Sequence, residues 1–157
     1  MKKKMLFVFL CFVAVFMVTG CGKKVSNIDE NLEDLMAKVY DGLTEDQLPM
    51  YLQNQALTDE NIEYYIGTKD IKWKEALVSE SSVGSIAHSV VLVRMQDNAT
   101  AKDIEDAVSK IKENADPRKW ICVEAENVYV ESNGNLIILI MADDEAETLK
   151  TNFEKLK

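Results

Sequence analysis

The chain has 157 residues, with 27 acidic and 18 basic side chains, one histidine and a net charge of −9. A balance this acidic repels phosphate and argues against nucleic-acid binding, while leaving a basic partner open. With 47% apolar residues the chain can bury one real core, so a single globular domain is expected.

Lys2, Lys3 and Lys4 precede a 14-residue apolar run from Met5 to Val18. Spanning a bilayer as a helix takes ~20 residues, so the run is short for a permanent anchor and fits the ~7–15-residue apolar region of a cleaved signal. The sequence Val18-Thr19-Gly20-Cys21 resembles the lipobox of bacterial lipoproteins. That resemblance implies a diacylglyceryl group on the Cys21 thiol, palmitate among its usual acyl chains, and cleavage after Gly20. Two or three acyl chains hold a protein stably, at ~0.8 kcal/mol per buried CH₂. The expected organisation is a signal peptide over 1–20, a lipidated tether over 21–27 and one domain over 28–157, at the extracytoplasmic face of the cell membrane. Loss of the signal removes three lysines and leaves 15 basic against 27 acidic side chains, a net charge of −12. Lys23 and Lys24 then lie where anionic headgroups would attract them.

Past the tether, Ile28, Leu32, Leu35, Met36, Val39 and Tyr40 recur at spacings of three and four, which predicts an amphipathic helix over 29–41 ending before Gly42. Thr44 with Gln47 forms a capping-box pattern for a short helical turn. Thr58-Asp59-Glu60 would cap another through Ile62 to Tyr65, stopped by Gly67. Ala76 and Val78 then suggest a strand, and Ile86 to Met95, rich in valine, a stronger one pairing with it. Asn98 to Ala115 returns to helical spacing, with Thr100 as cap, Ile104, Ala107, Val108 and Ile111 on one face, and Asp116-Pro117 as the stop.

Trp120 to Glu131 and Leu136 to Ala142 flank an Asn-Gly turn, the strongest short hairpin signal. A two-residue loop at Asn133-Gly134 places Val130 opposite Ile137 and Val128 opposite Leu139, with Tyr129 and Asn127 on the other face beside Ile138 and Ile140. Asp143, Asp144 and Glu145 open a last helix carrying Leu149, Phe153 and Leu156 on one face, with lysines late, as the helix dipole favours. The expected fold is α+β: a two-layer sandwich with an antiparallel sheet of about four strands in ββαββα order, preceded by an N-terminal helix. Leu136 to Met141 is apolar on both faces, so something must cover the second. Either the 29–41 helix does so, or Leu136, Ile138 and Ile140 form a partner surface.

Cys11 leaves with the signal and Cys21 is lipidated, so Cys122 has no disulfide partner and reads as a small buried hydrophobe on a strand. His88 is alone, so the His-rich zinc sites cannot be built and no metal or other cofactor is expected. No nucleophile-elbow, phosphate-loop or calcium-loop spacing is present, and no catalytic residue is assigned. The Thr58–Gly67 acidic, tyrosine-rich turn, the Ile86–Met95 strand, the Asp103–Ile111 helix and the closing Leu136–Leu156 strand and helix resemble a small Gram-positive lipoprotein family, domain of unknown function 4358. The resemblance implies a membrane-anchored, extracytoplasmic and uncharacterised protein, and supplies no site residues. The functional expectation is a lipid-anchored binding module for an envelope protein or other envelope component. The alternatives are an envelope hydrolase or transferase using carboxylates such as Glu124 and Glu126 in a cleft, and an accessory solute-binding lipoprotein.

Overall fold

The structure is a computed structural model that describes residues 25–157. The signal segment, Cys21 and the tether as far as Lys24 lie outside the described residues. Ten short elements follow: α1 (Leu32–Val39), a 3₁₀ turn (Glu45–Gln47), β1 (Leu52–Ala56), α2 (Ile62–Ile66), β2 (Trp73–Ser81), β3 (Ser89–Met95), α3 (Ala101–Asn114), β4 (Asn127–Asn133), β5 (Leu136–Ala142) and α4 (Ala146–Glu154). The class is the expected one, α+β around a single antiparallel sheet, with five strands in the order β1-β2-β3-β5-β4.

The extra strand is β1, Leu-Gln-Asn-Gln-Ala, which pairs only with β2 and buries no side chain fully. It lacks the apolar alternation that announces a strand, because its backbone pairing rather than its side chains holds it at the edge.

Both faces of the sheet are covered. On one, Leu77, Val90, Leu92, Leu136, Ile138, Ile140 and Ala142 pack with Leu32, Leu35, Met36 and Val39 of α1 and Leu149 and Phe153 of α4. On the other, Ala76, Val78, Val91, Val93, Ile137, Leu139 and Met141 pack with Ile62 and Ile66 of α2 and Ile104, Ala107 and Ile111 of α3. The sandwich therefore has a helical layer on each face, and α1 covers the second face of β5, the first of the two readings of that strand. This explains why β3 and β5 are buried at every position. Leu136, Ile138 and Ile140 are fully buried beneath α1 and α4, so the partner surface expected there does not exist.

The caps follow the sequence. Asn31 accepts the Glu33 N–H at 2.7 Å to start α1, and Thr100 and Asp103 exchange hydrogen bonds to start α3. Gly67 ends α2 at φ +77°, and a Cβ there would lie 2.1 Å from the Asn114 carbonyl oxygen, so glycine lets α2 meet the end of α3. Two expectations change in the second half. Trp120–Glu126 is irregular, with β4 starting only at Asn127, and Cys122 sits in that loop, exposed and at φ +62°. The hairpin keeps its predicted faces but shifts its partners by two residues: Val130 faces Leu139 and Val128 faces Met141. Its loop is Gly134-Asn135, not Asn133-Gly134, and φ is positive at Gly134 alone of these three, as a II′ turn requires.

The cause is the chain that crosses this turn. A Cβ on Gly134 would be 2.4 Å from the Ser26 carbonyl oxygen, and Asn135 Oδ1 accepts the Ile28 N–H at 2.9 Å. Residues 25–30 thus pass from the α2/α3 face, where Val25 packs, to the α1/α4 face, where Ile28 packs. Arg94 on β3, buried, fixes the crossing: its Nη1 and Nη2 donate to the carbonyls of Ile28 and Glu30, and its Nε donates to Glu75 at 2.6 Å.

Candidate functional site

At the opposite end of the strands, the loops after the 3₁₀ turn, before β3, before β4 and after β5 surround a cleft of 490 Å³. Its walls carry Gln47, Pro49, Ile86 and Val123, and its polar groups are His88, Glu124, Glu126, Asp143 and Glu145. The lining holds four carboxylates and neither lysine nor arginine, so its potential attracts cations and repels anions. Glu124 and Glu126, the carboxylates the sequence suggested for a cleft, do line it together. Asp143 closes one side by accepting the Glu126 N–H at 3.0 Å, and its carbonyl accepts the Asn127 side-chain amide at 3.0 Å.

The floor is a relay that the sequence did not reveal. His88 is buried at 1% exposure; its Nδ1 lies 2.6 Å from Glu145 Oε1 and its Nε2 lies 2.7 Å from the Tyr40 hydroxyl. A neutral imidazole satisfies both contacts, Nδ1–H donating to the carboxylate and Nε2 accepting the phenolic proton. The His88 hydrogen bond holds the Glu145 carboxyl below its usual pKa, against a smaller opposing effect of burial. The order hydroxyl, imidazole, carboxylate is that of a nucleophile, its base and an orienting acid. Here, however, burial and the Glu145 charge push the Tyr40 phenol far above its ordinary pKa, which is the wrong direction for a nucleophile. The relay instead ties three segments: the end of α1, the entry to β3 and the start of α4.

The aromatic residues converge elsewhere. Lys119, with its side chain 5% exposed, points its Nζ at the rings of Tyr64, Tyr65 and Trp120 from 5.1, 4.6 and 5.1 Å, and pairs with Glu80 at 2.5 Å. Burial lowers the pKa of this amine, and Glu80 opposes that shift. The group staples the Trp120–Glu126 loop onto β2 and β3. Trp73, packed on the α2/α3 core, and Tyr129, under Lys150, stand apart from it.

Among the described residues no group of three or more His, Cys, Asp or Glu is placed to hold a metal ion, and no helix is long and apolar enough to cross a membrane. Comparison of the chain with protein-family models, curated proteins and solved structures finds no match to any. Class and architecture therefore stand on the fold, and function on the residues.

Proposed function

We propose that this chain is a lipid-anchored, extracytoplasmic binding module, held at the cell membrane through Cys21 and receiving a basic segment of an envelope component in the acidic cleft. The observation that carries it is the polarity of the domain: the described chain begins beside the β4–β5 turn, where Ser26 meets Gly134, and the cleft opens at the other end of β3. Seven residues of strand separate the two ends by ~20 Å. The four residues from Cys21 to Val25 reach ~14 Å at most, so an anchor at Cys21 keeps the domain at the bilayer while leaving the cleft unobstructed. The support is the signal sequence together with this geometry; the resemblance to domain of unknown function 4358 adds no residue to it.

A second reading, a carboxylate-dependent envelope hydrolase, is favoured by one observation, the presence of Glu124 and Glu126 in the same cleft. One experiment separates the two. The full chain is expressed in a Gram-positive host, labelled metabolically with a palmitate analogue, and crosslinked at the cell surface, with Cys21→Ala and Glu124→Lys/Glu126→Lys as variants. The binding reading expects label on the wild type and not on Cys21→Ala. It also expects one recurrent crosslinked partner, lost on reversing the cleft charge. Absence of label removes the anchor. Hydrolysis of an envelope polymer that Glu124→Gln/Glu126→Gln abolishes replaces binding by catalysis.

A further inference from the structure

The sheet has two edges, and they differ. β4 carries Glu131, lies between α3 and α4, and its Asn133 amide donates to the carbonyls of Phe153 and Leu156 at 3.0 Å each. β1 itself carries no charge, no proline within the strand and no bulge in its pairing, three of the devices by which proteins guard an edge. Its hydrogen-bonding phase is fixed. The Leu57 N–H donates to Ala76, and Tyr51 accepts from Ser82, so Tyr51, Gln53, Gln55 and Leu57 turn their backbone groups toward β2. Leu52, Asn54 and Ala56 turn theirs outward.

We propose that β1 pairs antiparallel with β1 of a second copy of this chain, joining the two sheets across a two-fold axis at Asn54. The sequence is self-complementary about that residue. Outward-facing Asn54 meets Asn54 of the second copy, Leu52 meets Ala56, and Gln53 meets Gln55. Every hydrogen-bonded position then coincides with an outward pair, amides lie beside amides, and the large Leu52 faces the small Ala56. In a molecule so acidic, the five residues of this edge are uncharged, which lessens the repulsion that other faces of two copies would meet.

The point where the described chain begins is compatible with a second copy on this edge. A two-fold axis through the middle of an antiparallel pair is normal to the sheet, so the α2/α3 faces of both copies point the same way. Val25 packs on that face, beside Ala101, Ile104 and Val108 of α3. Both copies of Val25 therefore lie on one side of the joined sheet, as two anchors in one membrane require. This last point rests on the lipid-anchor reading; the edge pairing itself does not. One like-charge contact follows. Asn54 Nδ2 donates to Glu33 at 2.7 Å, so pairing brings two Glu33 carboxylates toward the axis. Association should accordingly tighten as salt rises.

The test is sedimentation equilibrium of the full chain in detergent, beside Asn54→Pro, Asn54→Lys and Gln53→Lys, with circular dichroism to establish that each variant folds. Proline at 54 removes an outward N–H and leaves the bonds to β2 intact. The expected result is a dimer for the wild type that tightens between low and high salt, and at least tenfold weaker association for both Asn54 variants. A short bismaleimide should link Asn54→Cys chains in Cys122→Ser membranes several-fold faster than Lys112→Cys chains. A wild-type monomer at all concentrations, a dimer that folded Asn54→Pro leaves unchanged, or a monomer with a foreign peptide bound along β1 overturns the proposal. The Cys21→Ala chain, sedimented alongside, separates failure of the pairing from failure of the anchor.

Discussion

Substituting Glu145 by alanine removes the acceptor for His88 Nδ1–H, a donor buried at 1% exposure. A stranded buried donor costs ~1–3 kcal/mol, and the contact is short, 2.6 Å, and made to a carboxylate, so the upper half of that range applies. For a domain of this size each kcal/mol lowers Tm by ~3–4 °C, which gives a fall of ~6–12 °C by circular dichroism at pH 7. In a His88→Phe background the same substitution should cost under ~0.5 kcal/mol, because the donor is already gone, so the cycle reads the coupling directly. The pH dependence has a definite sign. The folded pKa of Glu145 is depressed, so its stabilisation is fully present above the ordinary carboxyl range and is lost as pH falls through the folded value. The gap in Tm between wild type and Glu145→Ala should therefore narrow below ~pH 4. Equal costs in both backgrounds, or a gap unchanged from pH 7 to pH 3, would refute the relay as the tie between α1, β3 and α4.

Lys119→Ala leaves Glu80 facing three aromatic rings without its cation and should cost ~3 kcal/mol in denaturant unfolding, while Lys119→Met with Glu80→Leu recovers most of it. Gly67→Ala forces both a positive φ and a clash with the Asn114 carbonyl; it should lose ~3 kcal/mol or more. Gly42→Ala, at φ +80° with nothing near its Cβ, should lose only ~1. Ile138→Ala should destabilise by ~2–5 kcal/mol, the signature of a core position and not of a docking face.

Much of the fold was legible because its elements carry period. α3 announced itself through Thr100 and the Ile104, Ala107, Ile111 stripe, and β5 through an apolar run too symmetric for a half-wet strand. What stayed hidden depends on distant residues. The hairpin register turns on Ser26 and Ile28 crossing the loop more than a hundred positions away in sequence. The Trp120–Glu126 segment is apolar enough to read as strand, yet Lys119 and Trp120 hold it by a side-chain cluster that has no period. β1 carried no signal because an edge strand can be held by its backbone. Glu124 and Glu126 were visible as a pair, whereas His88 finds Tyr40 and Glu145 at separations of 48 and 57 residues, beyond any local pattern.

The Arg94 clamp also sets how the domain responds to tension. A pull on the N-terminal end passes through the carbonyls of Ile28 and Glu30 into the guanidinium of Arg94, and so into β3, the middle strand, whose two neighbours are both fully paired. Load enters at the centre of the sheet and is shared sideways, instead of unzipping an outer strand one bond at a time. Under such a pull the domain would keep its shape until the clamp itself gave way, and residues 25–30 would be the first to yield.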